Sequence, residues 1–500
     1  MATQAHETGG VGLERRVIGL PTAIGTTFSL IVAGGVLITV GQGFLASYVF
    51  LVALLIGLFT MYLASMSFSE LATMIPKAGS MNEYVRAGLG PFFATVTVLV
   101  GYVAIQVFPG SAEGLFLGIV INGFLGGGLT IKWWIVICVG FLALLNLAGI
   151  RPFAILEVFL TFSVAASLLI FGIIGLAGAG NGLDGAGGPI GGAFPSIPVE
   201  LGGSFTWSLL SSLLGLAIFT FVGVEYTCPL AEELKRPKRD IPWGIFIGLT
   251  LVAVPLVIYG LAAVRYVPWD QLADPTQITS MNIAIAVLGE TGKWWMGFIM
   301  IGAGLGTLNA VLAGVPRILY GMSLTRQLPA PFGYLVPSTR APAVGIVALA
   351  LIAILMNVFE ATTGATFLKL ILAGVLGWAT AYFLIHLSVV SLRMREPQAA
   401  RPYRSPLFPV PQIVGAGLLA LAAYKIAPPG TSSSSIYYRY LIFLAIAVGF
   451  SLLYNLYAYK SLATIFRPVP LAEVYEETEE ISEHLPLEVE PGGPHIHHDI

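Results

Sequence analysis

The sequence predicts an all-α membrane protein of about twelve transmembrane helices, and three observations carry that reading. Apolar residues make up 56% and charged residues only 10% of the 500, against about 25% charged in soluble domains. A soluble globule of this length cannot cover its surface with so little charge. The charges are also bunched between uncharged apolar stretches of about 18 residues or more, the length that crosses hydrocarbon as a helix. Lysine and arginine, finally, collect in alternate loops.

The apolar segments fall near 17–41, 46–70, 91–121, 132–148, 152–178, 206–228, 242–264, 292–322, 342–359, 364–392, 409–427 and 436–461. Arg15 and Arg16 precede the first, whose run from Val17 to Val40 exceeds the roughly 7–15-residue core of a signal peptide; it reads as a retained first helix. The second ends at Glu70. The third is interrupted at Pro109, which removes a ladder hydrogen bond. The fourth is plain, and the fifth starts beside Arg151. The sixth runs into Glu225 and the basic loop Lys235-Arg-Pro-Lys-Arg239 ahead of the seventh. The eighth holds Thr307 and Asn309, the ninth is uncharged, and the tenth includes Lys369. The loop Arg401-Pro-Tyr-Arg-Ser-Pro406 leads to the last two.

With the N-terminus inside, eighteen Lys and Arg lie on the cytoplasmic side and five outside, which fixes the expected orientation; an even helix count returns the C-terminus to the cytoplasm. The glycine-rich stretch 179–205 is expected as an external linker. From about 468 the acidic, polar chain reads as a disordered cytoplasmic tail, and its ending His495-Ile-His-His-Asp-Ile500 as solvated residues rather than a metal site. Cys138 and Cys228 fall within or at the end of predicted helices, so neither a disulfide framework nor a metal centre is implied. The net charge of -2 says nothing about nucleic acid, and because the basic residues are scattered over short loops rather than collected on one face, no nucleic-acid partner is expected.

Within a span, backbone groups are satisfied by the helix or they are costly, so mid-span glycine clusters raise a question. The first segment has Ile31-Val-Ala33-Gly34-Gly35-Val36, and the sixth has Gly215-Leu-Ala-Ile-Phe219-Thr-Phe-Val222-Gly223-Val-Glu225. Close helix packing is one reading. Because the two clusters lie five helices apart, the pair also fits an inverted-repeat transporter, whose broken helices point amides at an anionic group and carbonyls at cations.

Five motifs in order then resemble one family. They are Glu70-Leu-Ala through Pro76, Gly79 and Tyr84; Asn146-Leu-Ala-Gly149; Phe219 to Glu225 followed by Glu232-Glu-Leu-Lys-Arg-Pro237; Asn309 to Tyr320 with Leu328-Pro329; and Arg401 to Pro406. The chain resembles the amino acid–polyamine–organocation superfamily of transporters, in its amino acid permease branch. The resemblance implies a leucine-transporter-like 5+5 inverted repeat plus two C-terminal helices. The repeats would be 17–178 and 206–392, after a cytoplasmic N-terminus (1–16) and ahead of a basic loop (393–408), the last helices (409–461) and the acidic tail (468–500).

It further implies that a substrate carboxylate is received at Ala33, Gly34 and Gly35, where the family often has a serine that Gly34 lacks. The ammonium would go to carbonyls of Ile31, Phe219 and Val222. Phe219 matches an aromatic gate, the alternative being an ordinary core phenylalanine. A carboxylate at Glu225 implies gating or proton carriage, the alternative being a cap on the Lys/Arg loop. The implied third helix lines the cavity, placing Glu113 to select an amine-bearing group unless it lies at the outer mouth. Glu157 is expected to pair with the neighbouring Arg151. Where some proton-coupled relatives carry lysine in the fifth helix, Val164 follows Thr161 here. Coupling is left to another proton carrier such as Glu225, to sodium, or to exchange without an ion; Thr307 without a Ser/Thr pair argues against sodium.

The sequence thus predicts a secondary transporter that moves amino acids across the plasma (inner) membrane by alternating access, with no cofactor beyond H+ or Na+ as coupling ion. Its partners are the lipid bilayer and a small-molecule substrate. An amine or polyamine carrier, and a sensor or channel on the same fold, are the alternatives. No nucleophile, zinc or phosphate-loop motif of an enzyme is present in the sequence.

Overall fold

The computed structural model describes residues 12–107, 109–125, 128–178, 203–266, 279–359, 364–428 and 431–476. Residues 179–202 of the expected linker and 477–500 of the tail, with its histidines, lie outside them.

The fold is all-helical, and the described residues contain no β-strand, only one isolated bridge between Ile18 and Leu234. The chain enters through α1 (Leu20–Ile31) and, after a two-residue break, α2 (Gly34–Gly43). Then come α3 (Tyr48–Met74), the short α4 (Met81–Leu89) and a third segment in pieces. Those pieces are α5 (Pro91–Val98), a π-turn at Leu99–Val103, α6 (Ala104–Val107) and α7 (Pro109–Leu125). Next are α8 (Ile131–Leu147), α9 (Ile150–Leu176) and α10 (Trp207–Phe219), which ends in a turn and a 3-10 stretch at Val224–Leu230. The rest are α11 (Pro237–Tyr266), α12 (Thr279–Leu324, kinked at Gly289), α13 (Ala343–Phe359), α14 (Gly364–Arg395), α15 (Val410–Tyr424), α16 (Ser433–Tyr459) and α17 (Leu462–Phe466).

Among the described residues seven helical stretches have the length and hydropathy to cross a bilayer, and shorter apolar helices occupy the other apolar segments. The chain is an integral, multi-pass membrane protein. Large apolar side chains such as Leu55, Phe59, Phe159 and Leu453 stand exposed on its outer face, where hydrocarbon replaces water.

Two close approaches hold the broken helices. On α11, a Cβ at Gly244 would meet Ala23 of α1 at 2.7 Å, and one at Gly248 would meet Thr27 at 2.7 Å. On α3, a Cβ at Gly57 would lie 2.7 Å from the carbonyl oxygen of Ala217 in α10. Glycine lets these backbones touch, which is how helices associate where no hydrophobic effect draws them together.

One end of the bundle is locked by buried ion pairs. Glu233 receives Arg317 through two bonds of 2.5 and 2.7 Å. Glu70 receives Arg393 at 2.8 and 2.5 Å together with the Ser405 amide at 2.8 Å. This explains the family-like motifs: their carboxylates and arginines face each other. The expected disordered tail from 468 is corrected for its first residues. Val469, Leu471 and Val474 are buried, and 471–476 is helical. The Tyr475 hydroxyl donates to Met74 O at 2.8 Å, the Leu471 amide to Glu396 at 3.1 Å, and the Lys77 ammonium to Val474 O.

Candidate functional site

The first break is local chemistry. The α1 ladder ends when Val32 N–H donates to Phe28 O, Ala33 N–H turns back to Ile31 O at 2.9 Å, and α2 begins at Gly34. As at any helix start, the first amides have no partner within the helix. The second break follows Phe219, where Val222 N–H donates to Phe219 O at 3.2 Å and Gly223 takes φ +115, a conformation that disfavours a Cβ. Leu30 of α1 fills the space where that Cβ would stand, its Cδ2 at 2.4 Å. The two breaks therefore abut.

Between them lies a cavity lined by Leu30, Val36, Glu113, Phe219, Leu308 and Trp378. The space open to water centres is about 30 Å³, room for one or two waters. Phe219 tilts against Trp378 with ring centroids 6.3 Å apart, so the aromatic expected as a gate forms one wall. Ala33 and Val222 also border the cavity. Ile31 is fully buried at the end of α1, and the carbonyls of Ile31 and Phe219 each accept one backbone N–H.

Glu113 does not sit at an outer mouth. It is 5% exposed, and its carboxylate spans the start of α2: Gly34 N–H donates to Oε1 at 2.5 Å and Gly35 N–H to Oε2 at 3.0 Å. The amides assigned to a substrate carboxylate thus hold a carboxylate of the chain itself. Gly34 makes the approach feasible, since a Cβ there would come within 2.3 Å of Phe116 and 2.8 Å of Glu113 Oε1.

Glu225 follows the second break in the 3-10 stretch and is fully buried. Its partner is not the basic loop, which corrects the capping alternative. The Gly223 amide donates to the Tyr382 hydroxyl at 3.0 Å, and that hydroxyl donates to Glu225 Oε2. The break, α14 and the carboxylate form one short chain.

Glu157 is the second correction. Arg151 pairs instead with Glu14 at 3.1 Å, while Glu157 faces inward and accepts from Asn309 Nδ2 at 2.7 Å. Asn309 in turn accepts from Asn146 at 3.0 Å. Above this, the Thr161 hydroxyl pairs with Ser29 at 3.1 Å and that of Thr307 donates to Ser29 O at 2.8 Å. A polar column therefore joins α1, α9 and α12. Val164, where relatives have lysine, packs on Gly302. No group of three or more His, Cys, Asp or Glu suited to a metal occurs among the described residues.

Sequence reasoning missed Trp378 and Tyr382. They lie one turn apart on α14, and a phenol in mid-span was the available signal, because a buried hydroxyl seeks a partner.

The family model described as amino acid permease matches residues 18–448. The chain belongs to the amino acid permease family. This permease is 24% identical over 79% of its length to the branched-chain amino acid permease BcaP of Bacillus subtilis (strain 168), covering 83% of that protein. It is 23% identical over 78% of its length to the serine/threonine exchanger SteT of the same organism, covering 88%. Among solved structures it is similar to Mhp1, a nucleobase-cation-symport-1 family transporter, in a closed conformation with bromovinylhydantoin bound. That likeness has a TM-score of 0.50 at 17% identity and covers 95% of the permease and 99% of that chain. It shows a shared leucine-transporter-like fold. The permease is a secondary transporter.

Proposed function

We propose that this permease moves L-amino acids across the plasma (inner) membrane by alternating access, with both termini in the cytoplasm. The observation that carries the reading is the pair of helix breaks that meet at one small cavity. The names of BcaP and SteT support the substrate class. In this reading the substrate carboxylate goes to the Gly34 and Gly35 amides, and the ammonium to carbonyls of Ile31, Phe219 and Val222. A carbonyl has two lone pairs, so those of Ile31 and Phe219 keep one after their backbone bonds. The apolar wall of Leu30, Val36 and Leu308 favours an apolar side chain. Coupling is to a proton or to exchange of a second amino acid, with Glu225 and Glu157 as the buried carboxylates available to carry a proton. A decarboxylated amine is the second reading, favoured by Glu113 occupying the amides.

The orientation rests on the bias of lysine and arginine, and accessibility labelling of single cysteines placed near residues 12 and 476 tests it. Uptake and counterflow in proteoliposomes, run across the twenty amino acids and common amines, test the function. Saturable counterflow of an amino acid is expected. Flux without saturation would mean a channel, and binding without flux a sensor; either would refute the transport reading.

A further inference from the structure

Glu113 is a buried carboxyl group with no ion-pair partner among the described residues. Among the described residues the ion pairs join Arg86 to Glu83, Arg151 to Glu14, Lys293 to Glu290, Arg317 to Glu233, and both Arg393 and Arg401 to Glu70. None reaches Glu113. Among the described residues its hydrogen bonds are the two from Gly34 and Gly35, and it borders the cavity beside Phe219 and Trp378. The site therefore holds, before any substrate arrives, one carboxylate already seated on two amides. The space left over is too small for an amino acid.

We propose that Glu113 exchanges partners with the substrate: the entering carboxylate takes the Gly34 and Gly35 amides, and the released Glu113 joins the carbonyls of Ile31, Phe219 and Val222 in accepting from the three N–H donors of the α-ammonium. The inference rests on the transport reading above and names what that site selects, a zwitterion with both groups on one carbon.

The physical case is one of matched charge. A buried ion is tolerated when it is paired and hydrogen-bonded. Before exchange the site holds one anion with two amide donors. After it, the amides hold the substrate's carboxylate and Glu113 holds the ammonium, so the net charge in the span is the same and no charge is left alone. A carboxylic acid lacking the amine breaks this balance, because it sets a second anion beside Glu113 with no cation to offset it. An amine lacking the carboxylate can approach Glu113 but cannot replace it on the amides. Releasing Glu113 would then leave two buried donors unmet, at full desolvation cost. The reach needed is short, since Glu113 lies across the cavity wall from Phe219 and Val222. The Gly304 backbone of α12 lies on its other side: a Cβ there would stand 3.5 Å from Glu113 Oε1.

The test uses purified full-length protein and sets of three probes: L-leucine, 4-methylpentanoate and 3-methylbutylamine, with the matching sets built on phenylalanine and alanine. Binding is read by thermal shift and by counterflow in proteoliposomes. Wild type is expected to bind the amino acid of at least one set at least tenfold tighter than either analogue. Glu113→Gln, which keeps an acceptor oxygen for the amides, and Glu113→Ala should both lose amino acid affinity at least tenfold. Both should gain affinity for the monocarboxylate by a similar factor, because no anion then opposes it. A mere helix cap predicts no loss of the amino acid, because the vacated amides would be open to its carboxylate; the loss of the amino acid together with the gain of the monocarboxylate marks the exchange.

If the amino acid binds and the variants neither lose it nor gain the monocarboxylate, the exchange is wrong and the transport reading stands. Preference for the amine in wild type also overturns the exchange and makes the substrate an amine. If a folded wild type neither binds nor exchanges any probe of the three sets, both the inference and the transport reading fall.

Discussion

Tyr382→Phe removes one oxygen from the link between the second helix break and α14. That oxygen accepts the Gly223 amide at 3.0 Å and donates to Glu225; both residues are buried, Glu225 fully. The variant keeps the ring, which packs edge-on to Phe68 with centroids 5.0 Å apart, so the loss is polar rather than steric. A hydrogen bond to a charged group is worth about 1.5–3 kcal/mol and a neutral one about 0.5–1.5 kcal/mol. The variant should therefore lose about 2–4 kcal/mol of folding stability, measured by equilibrium unfolding in mixed SDS–detergent micelles. Glu225→Gln provides the second edge of a double-mutant cycle. The coupling between the two sites should be at least 1 kcal/mol, because each acts through the same bond. A Tyr382→Phe loss below 0.5 kcal/mol, at the lower edge of a single neutral hydrogen bond, or additive effects, would refute the linkage.

Three further outcomes are expected. Gly34→Ala places a methyl group against Phe116 and the Glu113 carboxylate; it should cost about 1–3 kcal/mol of stability by overpacking and lower substrate affinity more than tenfold in thermal-shift titration. Arg317→Met leaves Glu233 buried without its cation and should cost about 3–5 kcal/mol, read by the same unfolding assay. Truncation after Arg467 strips Val469, Leu471 and Val474 from their buried positions. At about 1.5–3 kcal/mol per buried aliphatic side chain, it should cost several kcal/mol and expose the chain around Lys77 to limited proteolysis.

Much of this architecture was legible from the residues alone, for identifiable reasons. The two breaks show in sequence because glycine at mid-span has few other uses and the clusters recur five helices apart. Phe219 and Val222 come to the cavity through the family resemblance, and both line it. What failed was contact between distant elements. Glu113 was recognised as a cavity residue, yet its partners lie 79 and 78 positions away and depend on how α7 is turned toward α2, which periodicity does not specify. Nearness along the chain suggests Arg151 as the partner of Glu157. Six residues apart on one helix, however, they point to different sides, and only spacings of three or four bring side chains together. The tail was read by its average composition, which hid the apolar spacing of Val469, Leu471 and Val474.

The glycine seams have a mechanical consequence. Where Gly57 meets α10 main chain lies on main chain, and where Gly244 and Gly248 meet α1 only the short side chains of Ala23 and Thr27 come between, which leaves little to shear or re-rotamerise. Each broken helix is thereby fastened to one unbroken rod, α1 to α11 and α10 to α3, in a crosswise pattern that ties each half of the molecule to the other. A tilt that opens the cavity to either side then carries two rods at a time. The compliance needed to bend must come from the short breaks at Val32–Ala33 and Thr220–Gly223 rather than from sliding along the seams.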